Sequence, residues 1–131
     1  MSTTAETIPS VRTLLESAYR AFNARDINAA LATMHADVAW PNGMEGGTVY
    51  GHEGVRAYWT RQWLIIDPRV TPMAYITGLD GRVCVQVHQV VKNMKGELLV
   101  DQTVLHVYRI EEGYIKAMEI QSSSGGTSDP V

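Results

Sequence analysis

The sequence predicts an α+β fold in which a curved, cone-shaped antiparallel sheet wraps around three N-terminal helices. Hydrophobic residues follow a helical period up to about residue 66, whereas later residues alternate as in strands. Glycine-bearing turns separate the alternating segments. Helices followed by strands are typical of α+β domains. We expect one domain over residues 1–131, with flexible ends at 1–7 and 122–131.

Two helices are predicted at the start of the chain. A long amphipathic helix covers roughly 8–23, because its apolar residues fall on one stripe. Asp26 is a suitable N-cap for a second, shorter helix that begins at Ile27 and has Met34 on its apolar face. The two form a helical hairpin.

An extended piece from Asp37 to Trp40 and the glycine-rich loop PNGMEGG come next. A third helix is predicted over roughly 52–66, where apolar and polar residues lie on opposite faces and Asp67-Pro68 ends the helix.

Four consecutive antiparallel strands are predicted after the helices. The turns between them contain Gly81, Gly96 and Gly113, where a positive φ is expected. The predicted strands cover about 70–79, 82–92, 97–110 and 114–121. A bent sheet closed by helices leaves an open mouth, where a small ligand can bind.

Composition excludes several functions. The formal net charge is −3 and the basic residues are scattered, so nucleic-acid binding is not expected. No apolar run approaches the roughly 20 residues needed to span a membrane, and the first residues do not resemble a signal peptide. We therefore expect no membrane partner and a cytoplasmic location. The single cysteine, Cys84, excludes an internal disulfide and a thiolate metal cluster.

The stretch VCVQVHQVV, residues 83–91, places valines on one face of a strand and polar residues on the other. A three-residue turn before Glu97 and a two-residue turn at Glu112-Gly113 would set the registers of the last two hairpins. Those registers place His106 opposite Glu119 and collect a polar patch on the face that also carries Tyr108. The patch consists of Gln86, His88, Gln102, His106, Glu119 and Gln121.

The sequence leaves the orientation of this patch open, because the same residues could lie on the outer face with the valines inward. A shift of one residue in either register would scatter them. In that case Asp101, on the opposite face of its strand, is the spare acid, meaning the carboxylate that could take the place of Glu119. His88 and the His106–Glu119 pair also have a structural interpretation, as hydrogen-bonded side chains.

Aromatic residues predict an apolar wall for a flat ligand. Tyr19, on the first helix, can donate a hydrogen bond to a carbonyl oxygen, although it can also simply pack in the core. Trp40 and Asn42 are expected at the mouth, and Tyr58, Trp59 and Trp63 along the third helix.

The order helix, helix, HADVAW (35–40), glycine-rich loop, GHEGVRAYW (51–59) and final hairpin HVYRIEEGYIKAMEIQ (106–121) resembles the SnoaL-like and ketosteroid-isomerase-like branch of the nuclear transport factor two-like superfamily. The resemblance covers about 8–121. It implies a cystatin-like roll and a homodimer through the sheet. It also implies an isomerase, cyclase or dehydratase, or a member that only binds partners. Pro41 and Asn42 stand where a steroid isomerase would have its base nearby, which argues against that activity. The resemblance to SnoaL-like cyclases favours Glu119 as the acid.

Together these observations predict a cofactor-independent enzyme acting on an apolar, carbonyl-containing ligand of the polyketide or steroid kind. His106 with Glu119 would be the general base, and His88, Tyr19 or Gln102 would bind the developing enolate oxygen. The alternative is a non-catalytic module that binds a ligand or a protein. A third interpretation makes His88, His106 and Glu119 a metal-binding triad.

Overall fold

A computed structural model describes residues 9–78 and 80–122 of the chain, so the predicted flexible ends lie almost entirely outside the described residues. Over this part of the chain the helices are α1 (Pro9–Asn23), α2 (Ile27–Leu31) and α3 (Gly51–Ile65). The strands are β1 (Met34–Pro41), β2 (Thr48–Tyr50), β3 (Ile66–Thr77), β4 (Val83–Asn93), β5 (Leu98–Glu111) and β6 (Tyr114–Ser122). The predicted α+β class is confirmed.

The helices begin and end close to their predicted positions, with one difference. Asp26 caps α2 as predicted, because its carboxylate accepts a hydrogen bond of 3.1 Å from the backbone N–H of Ala29. However, α2 ends at Leu31, and Met34 is the first residue of β1 rather than part of the helix. Its side chain is buried in the core, which explains why it fits the apolar stripe of a helix.

The strands form a six-stranded, curved and unclosed sheet in the order β2-β1-β6-β5-β4-β3. Strands β3 to β6 form the predicted antiparallel meander, whereas β1 pairs with β6 in parallel. The short strand β2 was not predicted. Here the face of the sheet that packs against the helices is called the inner face, and the opposite one the outer face.

Both late turns form as predicted, but neither register continues as expected. The backbone N–H of Asn93 bonds to the carbonyl oxygen of Glu97, and Glu111 pairs with Tyr114. Beyond each turn the register shifts by one, with Leu99 as the extra residue in β5 and Lys116 in β6. A β-bulge has this effect, and every later side chain moves to the other face.

The core lies between the helices and the inner face. Val83, Val85 and Val87 of β4 are buried there, opposite Tyr108, His106 and Val104 of β5. No helix among the described residues is long and apolar enough to cross a membrane.

Candidate functional site

A small cavity of about 50 Å³ lies between α1, α3 and the inner face of the sheet. Aromatic rings form much of its wall, with Trp40 packed edge-to-face on Trp59 at a ring distance of 5.5 Å and Phe22 on Trp59 at 5.1 Å. The cavity is lined by Ala18, Tyr19, Phe22, Met34, Trp40, Trp59, Val70, His106 and Tyr108.

A chain of three buried polar side chains is embedded in this apolar wall. The hydroxyl of Tyr108 donates to the hydroxyl oxygen of Tyr19 at 2.7 Å, and the Tyr19 hydroxyl lies 2.8 Å from Nδ1 of His106. Helix α1 contributes Tyr19, and alternate positions of β5 contribute His106 and Tyr108, which therefore share the inner face. Among the described residues, Tyr19 is the one hydrogen-bond partner of His106.

Burial determines the charge of these groups. Loss of solvation lowers the pKa of His106 to about 4, so the imidazole is neutral at pH 7. The pKa of Tyr19 is raised well above its ordinary value, first by burial and then by the nearby Tyr108, so its hydroxyl keeps its proton. Burial also raises the pKa of Tyr108. The three side chains of this hydrogen-bond chain are thus uncharged at pH 7, and each of them carries a proton that it can donate.

The neutral His106 ring has two tautomers with different chemistry. When Nδ1 accepts the proton of Tyr19, Nε2 carries a hydrogen and is a donor. When Nδ1 carries the hydrogen, it donates to the Tyr19 oxygen, and Tyr108 donates to the same oxygen. The Tyr19 hydroxyl is then available to an oxygen atom of a ligand, while Nε2 of His106 has a lone pair available as a base.

Four predicted site residues lie in or beside this cavity as expected, in addition to His106: Tyr19, Trp40, Trp59 and Tyr108 line it. For Tyr19 the structure places the hydroxyl inside the cone rather than in simple apolar packing, because it joins two buried partners.

The predicted contact between His106 and Glu119 is wrong. Glu119 pairs with Val107, on the outer face, and His106 pairs with Ile120. The bulge at Lys116 is the physical reason, because it adds one residue to β6 between the turn and this pair.

The predicted polar patch is scattered across the two faces. His88, Gln86 and Gln121 lie on the outer face, because they pair with Thr103, Leu105 and Leu105 respectively. His88 instead contacts the spare acid Asp101, with Nε2 2.6 Å from Oδ1, and both side chains are about half exposed. The bulge at Leu99 causes this change of face in β4 relative to β5.

A metal-binding triad of His88, His106 and Glu119 is likewise wrong, because His106 lies on the inner face and the other two on the outer face. Within residues 9–78 and 80–122, no group of three histidine, cysteine or acidic side chains is arranged to hold a metal ion.

Three other predicted residues line a separate groove of about 600 Å³ between the loop after β1, α3 and the far ends of β4 and β5. Asn42 is buried and holds its loop through Glu45, donating to Oε1 at 2.9 Å. The Tyr58 hydroxyl accepts hydrogen bonds from the Met44 N–H and from Gln62. Gln102 donates to Gln89 at 3.0 Å.

Trp63 packs against Phe22 and Trp59 but does not line the cavity. The sequence interpretation missed four lining residues. Ala18 and Phe22 carried a signal, because they share the apolar stripe of α1 with Tyr19. Met34 was assigned to a helix, and Val70 had no signal beyond its place in a strand.

Comparisons with known proteins place the fold in a family. The TerC structure co-crystallised with polyporic acid has 27% identity and a TM-score of 0.76, over 88% of this chain and 93% of that one. An NTF2-like protein of unknown function from Burkholderia pseudomallei has 27% identity and a TM-score of 0.76, over 90% and 94%. A Mycobacterium tuberculosis protein in complex with estradiol-17beta-hemisuccinate has 19% identity and a TM-score of 0.71, over 83% and 90%, which supports the fold alone.

No curated protein matches the sequence. The family model described as a SnoaL-like domain matches residues 15–118, a span that contains the third helix, most of the meander and all three members of the Tyr108–Tyr19–His106 chain. The resemblance read from the sequence motifs is therefore confirmed, and this chain belongs to the SnoaL-like domain family of the nuclear transport factor two-like superfamily.

Proposed function

We propose that the protein binds a small, largely apolar molecule by a carbonyl or phenol oxygen, and that it acts on such a molecule as a cofactor-independent isomerase, cyclase or dehydratase. The observation that carries this proposal is the hydrogen-bond chain Tyr108–Tyr19–His106 inside an aromatic cavity. The complex of TerC with polyporic acid is consistent with a ligand of this class.

The Tyr108–Tyr19–His106 hydrogen-bond chain is suited to bind a ligand oxygen atom that gains negative charge during the reaction. With hydrogen on Nδ1 of His106, the Tyr19 oxygen accepts from two donors, which makes its own hydroxyl a stronger donor. Donors held in a water-excluded site stabilise an enolate oxygen without having to reorganise during the reaction. Tyr19 is therefore the proposed oxygen-binding residue, and Tyr108 positions it.

His106 is the proposed base, acting through Nε2 and without Glu119. Among the described residues that line the cavity, none carries a carboxylate. A pKa near 4 makes the free imidazole a weak base. An enolate formed in the same cavity offsets this, because a neighbouring negative charge stabilises the imidazolium and raises its pKa.

The size of the cavity sets a condition on binding. About 50 Å³ is much less than the ~150 Å³ of an engineered cavity that binds benzene, so the aromatic wall must move to admit a ligand. Met34 and the rings of Phe22, Trp40 and Trp59 are the side chains that would move.

Exchange of hydrogen for deuterium at the carbon beside the carbonyl of 2-tetralone tests the catalytic part. Nuclear magnetic resonance in heavy water would show exchange faster than in buffer for the wild type and no acceleration for His106→Asn. The asparagine NH2 group can still donate to the Tyr19 oxygen, as Nδ1–H of His106 does in the proposed tautomer, but the variant has no base at Nε2. Equal exchange rates in wild type and buffer would contradict catalysis.

The second candidate is a non-catalytic ligand-binding module, and the low pKa of His106 favours it. Saturable binding of 2-naphthol, a phenol with a flat apolar body, together with no exchange in 2-tetralone would select this candidate. Absence of binding by either compound would contradict both.

We also propose that the protein acts in the cytoplasm as a homodimer through the outer face of the sheet. Ile76, Cys84 and Val107 form an apolar row across neighbouring strands on that face. Sedimentation should give a dimer for the wild type and a monomer for Val107→Lys. A monomeric wild type at micromolar concentration would contradict this assembly.

A further inference from the structure

A second groove, of about 520 Å³, runs along the surface between α1 and β3. Glu16, Arg20 and Asn23 line it from the helix, and Thr71 and Pro72 from the strand. Two further lining residues, Tyr19 and Val70, also line the buried cavity. The groove and the cavity therefore adjoin at the same two side chains.

The partition depends on how β3 is held. Strand β3 is at the edge of the sheet, so backbone groups along its free edge lack a strand partner. At Val70 the side-chain amide of Asn23 replaces that partner. Its Nδ2 donates to the Val70 carbonyl oxygen at 2.7 Å, and its Oδ1 accepts from the Val70 N–H at 3.0 Å.

On its other edge the segment around Val70 is paired with β4, in register from Ile66 to Pro72. Pro68 and Pro72 flank it and have no N–H groups, and the register shifts between Pro72 and Ala74. Arg69 adds one bond on the same side, to the carbonyl oxygen of Asn23 at 2.9 Å. Asn23 is thus the main latch between the end of α1 and the middle of β3.

We propose that the cavity and this groove are two compartments of one ligand site, with Tyr19 and Val70 as the partition and Asn23 as the latch that opens it. The inference extends the proposed function. The ligand class it implies is an elongated, mostly apolar molecule whose phenol or carbonyl oxygen meets Tyr19 and whose other end lies in the groove. The cavity alone has too little volume for such a molecule.

The connection can be tested without any ligand. In a Cys84→Ser background, Ala18→Cys places a single thiol in the cavity wall, and methyl methanethiosulfonate modifies it only when the cavity opens. Adding Asn23→Ala removes the two hydrogen bonds between Asn23 and the backbone of Val70 and should raise the modification rate about tenfold. Asn23→Asp keeps the acceptor but not the donor and should give a smaller increase.

Two controls make the result specific. Val55→Cys, in the same background, places the thiol in the core outside the cavity, and its rate should change less than twofold. Arg61→Ala breaks the ion pair with Glu45, 2.8 Å, which holds the loop beside the other large groove. That change should leave the rate of Ala18→Cys unaltered.

Three results would overturn the proposal. An unchanged modification rate in Asn23→Ala would show that the hydrogen bonds between Asn23 and Val70 do not control access to the cavity. Equal acceleration of the Val55→Cys reporter would assign the effect to global unfolding. Acceleration by Arg61→Ala alone would place the entrance at the other groove.

A ligand pair tests the shared site itself. Val70→Ala shortens one of the two side chains that separate the compartments. It should strengthen binding of estradiol, a long phenol, at least fivefold relative to binding of 2-naphthol, a short one. Equal changes for both would contradict a shared site. If the wild type binds neither phenol, the proposed function fails, while the thiol experiment still decides whether the compartments connect.

Discussion

The imidazole Nδ1 of His106 lies 2.8 Å from the hydroxyl of Tyr19, although 87 residues separate them along the chain. One residue comes from the first helix and the other from the fifth strand, so the contact exists only when the sheet wraps around α1. It joins the fold to the proposed chemistry, because the same curvature that buries the pair creates the cavity.

The Tyr19 hydroxyl should be important for stability. Tyr19→Phe leaves the Tyr108 hydroxyl and Nδ1 of His106 buried without their partner, which should lower the free energy of unfolding by about 2 kcal/mol. Urea denaturation measures this. Tyr75→Phe is a matched control, because the buried Tyr75 hydroxyl has no hydrogen-bond partner among the described residues. A loss in the control as large as that in Tyr19→Phe would contradict the assignment.

Stability should fall as the pH is lowered from about 6.5 to 4. The pKa of His106 is about 4 in the folded protein and 6.5 in a solvated histidine, so the unfolded chain binds the proton more readily in this range. Each pH unit corresponds to about 1.4 kcal/mol, which gives a loss of about 3 kcal/mol across the range.

His106→Asn isolates this contribution, because asparagine does not titrate. Denaturation at several pH values should show a shallower dependence for the variant than for the wild type. Parallel curves would mean that His106 is not buried in its neutral form.

Residues on the outer face should not affect the cavity. Glu119→Gln and His88→Ala should each leave the affinity for 2-naphthol within twofold of the wild type, because both side chains lie on the outer face of the sheet, away from the cavity. Calorimetric titration measures the affinities. A tenfold loss of affinity in Glu119→Gln would contradict this placement and would support a contact between Glu119 and His106.

Neighbouring residues of β4 should respond in opposite ways. Val87 is fully buried on the inner face, and Val87→Ala should cost about 2 kcal/mol of unfolding free energy. Gln86 is exposed on the outer face, and Gln86→Ala should change it by less than about 0.5 kcal/mol. Thermal or urea denaturation of both variants checks the alternation directly.

Periodicity and turn chemistry were enough to predict the order of the helices and of every strand except the short β2. The stripe of α1, the cap at Asp26 and the glycines of the turns are local signals, and the structure places each close to where it was expected. Tyr19, Trp40, Trp59, His106 and Tyr108 were also identified before their contacts were known, because aromatic and imidazole side chains on inner positions carry both bulk and a polar group.

The faces of the late strands could not be predicted in the same way. Leu99 and Lys116 look like ordinary strand residues, yet each is an extra residue in its ladder. A bulge is an extra residue in one strand relative to its partner, so the alternation of a single strand does not reveal it. The bulge at Leu99 changed the face of His88 and Gln86, and the bulge at Lys116 changed that of Glu119 and Gln121, because each shift changes every side chain beyond it.

The most direct test of the proposed oxygen-binding role of Tyr19 is a calorimetric titration of 2-naphthol into the wild type, Tyr19→Phe and Tyr75→Phe. If the Tyr19 hydroxyl binds the ligand oxygen, Tyr19→Phe should weaken binding about tenfold and Tyr75→Phe should not. Equal affinity in the wild type and Tyr19→Phe would contradict that role.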